Sequence, residues 1–319
     1  MKKKQRSSKK IRSIAMCITV ILFVIQGCVR DNLGECGLGI RVQYTMNKDE
    51  TDLLGERVSK LTLYVFDSEG TFVGAYPSRG ALYNGYTIPL LLKAGTYDFV
   101  VWGNLGEDYE VPALVPGQTR ANELDLKFKK VGADHRVLEF PDSLYYGALR
   151  MNVRPALQEE QVYTIDLIKD TKKITVIASG LSGEESEGKQ FDCHIISRNA
   201  GLRFMDNRIS ENTKVTYIPQ THEDEQKNRV SEFVVIREIQ DKSTESQLIY
   251  TMTDNAGQVR TLLDTSLVDM LLSYISNRRW DLSIEDDFVI QVTFDIRNFM
   301  TASITINGWE YYVTDVVPE

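Results

Sequence analysis

A chain of 319 residues with a formal charge of −8 is long enough for two ordinary domains. Seven of its 37 basic residues sit in the first twelve positions beside no acid, leaving 30 basic against 45 acidic residues, about −15. A surface that negative repels nucleic acid and anionic lipid heads, and no basic stripe with interleaved aromatics offsets it, so nucleic-acid binding is excluded.

The basic leader is Lys2, Lys3, Lys4, Arg6, Lys9, Lys10 and Arg12; an uncharged, mostly apolar run over 13–25 follows and ends at Gln26-Gly27-Cys28. A charged leader, a short apolar core and a small residue at a cut site make a secretory signal. The run is shorter than the ~20 residues a helix needs to cross a bilayer. Ile25-Gln26-Gly27-Cys28 resembles the bacterial lipoprotein box, which implies diacylglycerol on the Cys28 sulfur and cleavage just before it. The alternatives are a plain secretory signal or an uncleaved anchor helix. Several acyl chains hold a protein at a membrane where one does not. Residues 1–27 are thus expected to be a signal peptide, and 28–37 an acylated tether. Of the other cysteines, Cys17 leaves with the signal, while Cys36 and Cys193 either pair in an oxidising compartment or remain thiols.

Residues 38–46 alternate strictly, with Leu38, Ile40, Val42, Tyr44 and Met46 apolar, which predicts a strand with one buried face. Residues 60–66 (KLTLYVF) form a second strand, apolar on both faces, and the turn chemistry of Asp67-Ser68-Glu69-Gly70 returns it as 71–76. Pro89 pushes the run 87–92 toward an edge, whereas 96–102 (TYDFVVW) reads as a central strand. Glycine, proline and acids between Trp102 and Leu124 predict a surface loop, and 124–128 alternates again. The connection between domains is expected at 153–160, giving sandwiches over 38–157 and 158–319.

In the second half, 162–167, 173–178, 191–197, 214–218, 233–239 and 247–252 read as strands. Over 264–275, Leu267, Met270, Leu271 and Tyr274 fall at helical spacing behind a capping box of Ser266 and Asp269. Strands at 288–294 and 303–306 follow, and Asn307-Gly308 is a hairpin turn before Trp309. A buried Trp309 indole is expected from its place after a Val/Ile-rich strand. Many short strands with one brief helix predict an all-β chain of two tandem β-sandwiches, the helix lying in the second.

No catalytic constellation emerges. The stretch 183–190 (GEESEGKQ) approaches a phosphate loop, but Gln190 replaces the metal-binding hydroxyl, three glutamates repel a nucleotide, and a strand follows where a helix is needed. His135, His194 and His222 are scattered outside any zinc spacing. No GxSxG elbow is present. The acidic stretches 106–108 and 223–225 lack the alternation of a calcium loop. Trp102, Tyr145, Tyr146, Trp280 and Trp309 could stack on sugars, although such residues more often anchor sandwich cores.

The order Cys28-Val-Arg-Asp-Asn-Leu-Gly-Glu-Cys36, then IRVQYTM and LTLYVFDSEGTFV, resembles the FimB-type fimbrial anchoring subunits of Bacteroidales. SLVDMLLSYI, EDDFVIQVTFD and ASITINGWEYYV near the other end resemble that family's C-terminal half. The resemblance implies two transthyretin-like sandwiches and no enzymatic activity, cofactor, metal or small-molecule substrate. It implies a lipoprotein of the outer membrane at the base of a fimbrium; the leading expectation built on it is an anchor that attaches the shaft subunit by β-strand addition and limits shaft length. A surface glycan-binding lipoprotein and a polymerising shaft or tip subunit are the alternatives. An anchor should keep the strand 38–46 in place, with Arg41 protected by pairing and Arg57 in an exposed polar loop.

Overall fold

The computed structural model describes residues 36–311, except 112, 130, 155–160, 211–213, 237–244, 277, 280, 296 and 299. The first sandwich packs two sheets. Its strands begin with β1 (Cys36–Gln43), β2 (Leu61–Asp67), β3 (Phe72–Pro77), β4 (Thr87–Leu92) and β5 (Gly95–Gly103). Two short strands, β6 (Tyr109–Glu110) and β7 (Asp125–Phe128), precede β8 (Arg136–Val137), β9 (Tyr145–Val153), β10 (Gln161–Asp166) and β11 (Ile168–Lys169). One sheet has the order β10-β1-β4 and the other β11-β9-β5-β2-β3.

The alternation seen in 38–46 does what a half-buried strand requires. Leu38, Ile40, Val42 and Tyr44 are buried, with Arg41 exposed between them. Pro89 lies on β4, an edge strand of its sheet, where a missing N–H costs no rung. β2 and β5 are covered on both faces. Leu61, Leu63, Val65, Phe99 and Val101 enter the first core, and Tyr64, Phe66, Val100 and Trp102 enter a second core on the opposite face.

That second core belongs to the other sandwich. Its strands run β12 (Thr171–Ser179), β13 (Gln190–Ser197), β14 (Gly201–Arg203), β15 (Val215–Tyr217), β16 (Gln220–Glu223), β17 (Arg229–Ile236), β18 (Gln247–Thr253), β19 (Val259–Ser266), β20 (Asp287–Asp295), β21 (Met300–Ile306) and β22 (Trp309–Tyr311). One sheet is β16-β17-β12-β20-β21-β22; its partner is β19-β18-β13-β15-β8, and a small sheet β14-β7-β6 lies beside them.

Three boundaries differ from expectation. β10 lies beyond the division drawn at 157/158, yet it pairs parallel with β1 in the first sandwich, so the backbone makes its final passage into the second only after β11. The stretch after Trp102 is no plain surface loop. Tyr109 is buried with its hydroxyl donating to the Asp142 carbonyl (2.8 Å), and β7 and β8 pair with β14 and β15 of the second half. The loop expected around Arg57 contains a single helical turn, α1 (Leu54–Arg57), entered through an Asx-type turn in which Asp52 Oδ1 accepts from the Leu54 N–H at 3.0 Å. The anticipated helix is α2 (Leu267–Ile275), and the Asp269 N–H donates to Ser266 Oγ (3.2 Å) as the capping box requires. Asn307 and Gly308 both take positive φ (47° and 79°), the signature of a type I′ hairpin.

Candidate functional site

β1 is the central strand of its sheet, antiparallel to β4 and parallel to β10. Cys28 lies outside the described residues, eight positions before the start of β1. Just past β1 the chain is pinned. Asp166 accepts from Gln43 Nε2 (2.6 Å), the Thr45 N–H (2.9 Å) and Thr45 Oγ1 (2.7 Å). Asn47, itself buried, donates to the carbonyls of Tyr44 and Thr51 and so fixes the turn that follows.

That turn faces the second sandwich across a polar junction. Tyr44 Oη donates to Asp286 Oδ2 at 3.2 Å, while Lys172 Nζ donates to Asp286 Oδ1 at 2.8 Å. Lys169 Nζ stands 3.6 Å from the same carboxylate. Lys48 pairs with the nearly buried Glu285, and Glu50 with Arg279 at the rim. The Lys172 side chain is only 2 % exposed, so its ammonium depends on Asp286 for compensation. Burial lowers the Lys172 pKa against the opposing pull of Asp286. Burial and then the Asp286 charge raise Tyr44 well above the usual phenol range and push Tyr145 up to about 12. For Lys48 burial pulls downward, but the Glu285 hydrogen bond and charge together carry the net shift upward.

A cleft of about 440 Å³ opens at this junction, with Arg57, Lys169 and Lys48 set among Glu56, Asp49, Asp286 and Asp287. Alternating signs cancel any strong field toward a charged ligand, and no nucleophile beside a base is present in it. The chemistry is that of a seam holding two bodies in register. A second tie lies nearby: Trp102 Nε1 donates to the Phe204 carbonyl (3.1 Å) and Tyr146 Oη to that of Met205 (2.5 Å).

A family described as fimbrillin-A associated anchor proteins Mfa1 and Mfa2 matches residues 33–315. The chain belongs to this family. Across its length it is 21 % identical to the minor fimbrium anchoring subunit Mfa2 of Porphyromonas gingivalis, covering 96 % of this chain and 97 % of that one. The structure of the fimbrial anchor protein Mfa2 from the same organism superposes with a TM-score of 0.71 at 20 % identity, over 86 % of this chain and 98 % of that one. A Bacteroides thetaiotaomicron protein with a provisional description as polysaccharide binding gives 0.74 at 22 % identity, over 88 % and 99 %. These likenesses establish a shared all-β fold, and the family is one of structural fimbrial anchors rather than of enzymes.

Within this anchor-family fold the residues weighed for chemistry stay apart. The glycine-rich stretch forms the acidic connection from β12 to β13 and enters a strand, without the helix N-terminus that holds a phosphate. Cys193 is a buried free thiol among the described residues, its pKa raised by burial, while the Cys36 side chain lies outside them. His135 and His222 are exposed, and His194 is half-buried on β13. Asp224 Oδ1 accepts from the Gln226 and Asn228 backbone N–H groups and Oδ2 from Asn228 Nδ2, all in its own turn, and no metal-holding cluster occurs among the described residues.

The aromatics divide sharply. Trp102 is fully buried, but Trp309 is 44 % exposed, which corrects the buried indole expected of it. β22 is an edge strand among the described residues, and there the Trp309 ring lies under the Arg278 guanidinium, 5.3 Å from its centre. Trp280 lies outside the described residues. The junction itself escaped sequence reasoning. Lys172 and Asp286 are 114 residues apart, and only the two adjacent lysines and the acidic run 285–287 hinted at it.

Proposed function

We propose that this chain is a lipid-tethered anchor subunit of a fimbrium, held in the outer membrane through acylated Cys28, that attaches the shaft to the cell and limits its length. The supporting observation is the place of β1. A shaft or tip subunit that accepts a neighbour's strand must first lose one of its own, exposing unpaired amides and apolar pockets. Here the candidate strand is central, paired on both sides, and follows Cys28 by a short spacer. Cutting it would sever the tether while opening the groove, so one molecule cannot be both tethered and opened at this end. The shaft subunit then adds its strand to an edge of the second sandwich, where β22, β19 and β16 each pair on one side among the described residues. Intact-mass analysis of the protein from assembled fimbriae tests this. An acylated N-terminus at Cys28 is expected, and one beyond residue 46 would recast the chain as a shaft or tip subunit. Cys28→Ser should leave the detergent phase or accumulate as precursor.

A glycan-binding role draws support from one observation, the exposed indole of Trp309 beside Arg278. Binding on a glycan array that disappears in Trp309→Ala would favour it.

A further inference from the structure

β1 and β10 run side by side in the same direction, in register from Leu38↔Gln161 to Gln43↔Asp166. The backbone leaves this pair at opposite ends. The tether joins β1 at its start, Cys36, whereas β10 continues from its far end through β11 into β12, the first strand of the second sandwich. We propose that the β1/β10 pair is a tension clamp, through which a pull on the second sandwich passes to the tether without unravelling the first. The proposal rests on the anchor reading, because a tether at Cys28 and a partner on the second sandwich are what place force on those two ends.

The physical argument is one of geometry. A pull on the start of β1 and the end of β10 slides the two strands past each other along their axes. Every rung between them then shares the force, and all must fail together. A pull on two adjacent ends would instead break one rung after another, each worth only about 1 kcal/mol net. Resistance to force is set by the unfolding barrier and not by equilibrium stability, so the direction of loading decides it. While the rungs hold, the backbone between β1 and β10 is not itself drawn out.

Local chemistry reinforces the end where β10 is pulled. The three bonds accepted by Asp166 from Gln43 and Thr45 cross from β10 to β1 and its continuation there, and the Leu167 N–H donates to the Gln43 carbonyl at 2.8 Å. On its other side β1 is held by β4. Gly39 lets both neighbours close over the middle of the strand. A Cβ at that position would sit 3.0 Å from Thr87 Cγ2 of β4 and 3.3 Å from Val162 Cγ2 of β10. The junction of Tyr44, Lys48 and Glu50 with Asp286, Glu285 and Arg279 supplies a second route from β1 to the second sandwich.

Single-molecule pulling tests the clamp on the mature chain from residue 28 onward, with a peptide attachment tag at each terminus. A second preparation keeps the N-terminal tag and places the other attachment on position 91 by a bio-orthogonal residue. Leu91 is 67 % exposed on β4, and its neighbour Leu92 pairs with Cys36, so this geometry peels β1 from its start. Unfolding of the first sandwich is recognised between the termini by the length released from residues 36–169, about 48 nm. It is expected at a several-fold higher force between the termini than in the peeling geometry. If the second sandwich unfolds earlier, its chain still transmits the pull, and rupture of the first is read later in the same trace. Asp166→Ala should lower the force between the termini and leave the onset of peeling unchanged; Thr45→Val, which removes one of the three bonds, serves if that variant does not fold. Equal forces in the two geometries, or an Asp166→Ala effect of the same size in both, would overturn the clamp. Neither outcome touches the anchor reading, which stands or falls on the mature N-terminus.

Discussion

In the first sandwich β1 is the middle strand of three, flanked by β10 and β4, while in the second β22, the last described strand, pairs with β21 alone. The side chains follow suit. Leu38, Ile40, Val42 and Tyr44 are buried to 3 % exposure or less, whereas Trp309 stands 44 % exposed at the start of its strand. β1 thus has a neighbour on each side within its own sheet, whereas β22 has one among the described residues. On the proposed anchor reading the first strand carries the tether, and an edge such as the second takes a partner's strand.

The largest test removes the two strands in turn. Truncation to residue 47 takes away four buried side chains worth about 1.5–3 kcal/mol each, together comparable to the whole stability of an ordinary domain. The first sandwich is expected to unfold, seen as loss of its cooperative thermal transition and tryptic cleavage throughout 48–169. Removing 309–319 should leave both transitions in place. A truncated protein whose first sandwich still melts cooperatively would break the comparison.

Next come the two tryptophans. Trp102→Ala should cost about 3–5 kcal/mol, as for other large buried aromatics, because the indole fills the wall between the cores and its N–H is committed to Phe204. Trp309→Ala loses one cation–π contact with Arg278 and should cost about 1 kcal/mol or less. Denaturant unfolding of the two variants measures the difference, and equal costs would show that Trp309 is packed by something more than the edge.

Much of this contrast is legible in the amino-acid order, and its limits have a physical cause. Alternation in 38–46 and the two-faced apolar run of 60–66 report which faces are buried, since side chains alternate along a strand. Ser266 with Asp269 and Asn307-Gly308 report local backbone geometry, which nearby residues determine. Partnership is another matter. β10 reads as a strand, but nothing in it says that its neighbour is β1, with Gln43 and Asp166 separated by 123 residues. Trp309 failed for a related reason: periodicity assigns a face, and coverage of that face depends on where the sheet ends. The stretch between Trp102 and Leu124 misled because Tyr109 gains its partner only once the chain has folded back to Asp142.

The junction between the sandwiches sharpens the comparison at its seam. Asp286→Ala would leave the Lys172 ammonium buried and unpaired, an arrangement that typically costs 3–5 kcal/mol. Because Asp286 is 16 % exposed and water can reach the gap, the lower end, about 3 kcal/mol, is expected. Combining it with Lys172→Met should recover much of that loss, since an apolar pair of similar volume is often neutral there. Unchanged stability in the single variant would mean that Lys172 finds another acceptor.

A last expected effect, absent at neutral pH, is a dependence on alkaline pH carried by the tyrosines at this seam. The Tyr145 phenol is pushed from 10.0 up to about 12, by burial first and the Asp286 charge second, and Tyr44 is raised in the same sense by the same two causes. A raised pKa means that the folded protein keeps a proton that the unfolded chain releases. The stability it contributes is therefore complete below pH 10 and is lost as pH climbs toward 12, at about 1.4 kcal/mol per pH unit for each tyrosine. Lys172 works in the opposite direction below 10.5, because its folded pKa is lowered and the unfolded chain binds the extra proton. Urea unfolding between pH 9 and 12 should thus show stability falling above pH 10. Tyr145→Phe should make that fall shallower, since phenylalanine has no proton to lose. An unchanged slope would place the alkaline sensitivity elsewhere, on Tyr109 or Tyr250 away from the seam, whose phenols burial also raises.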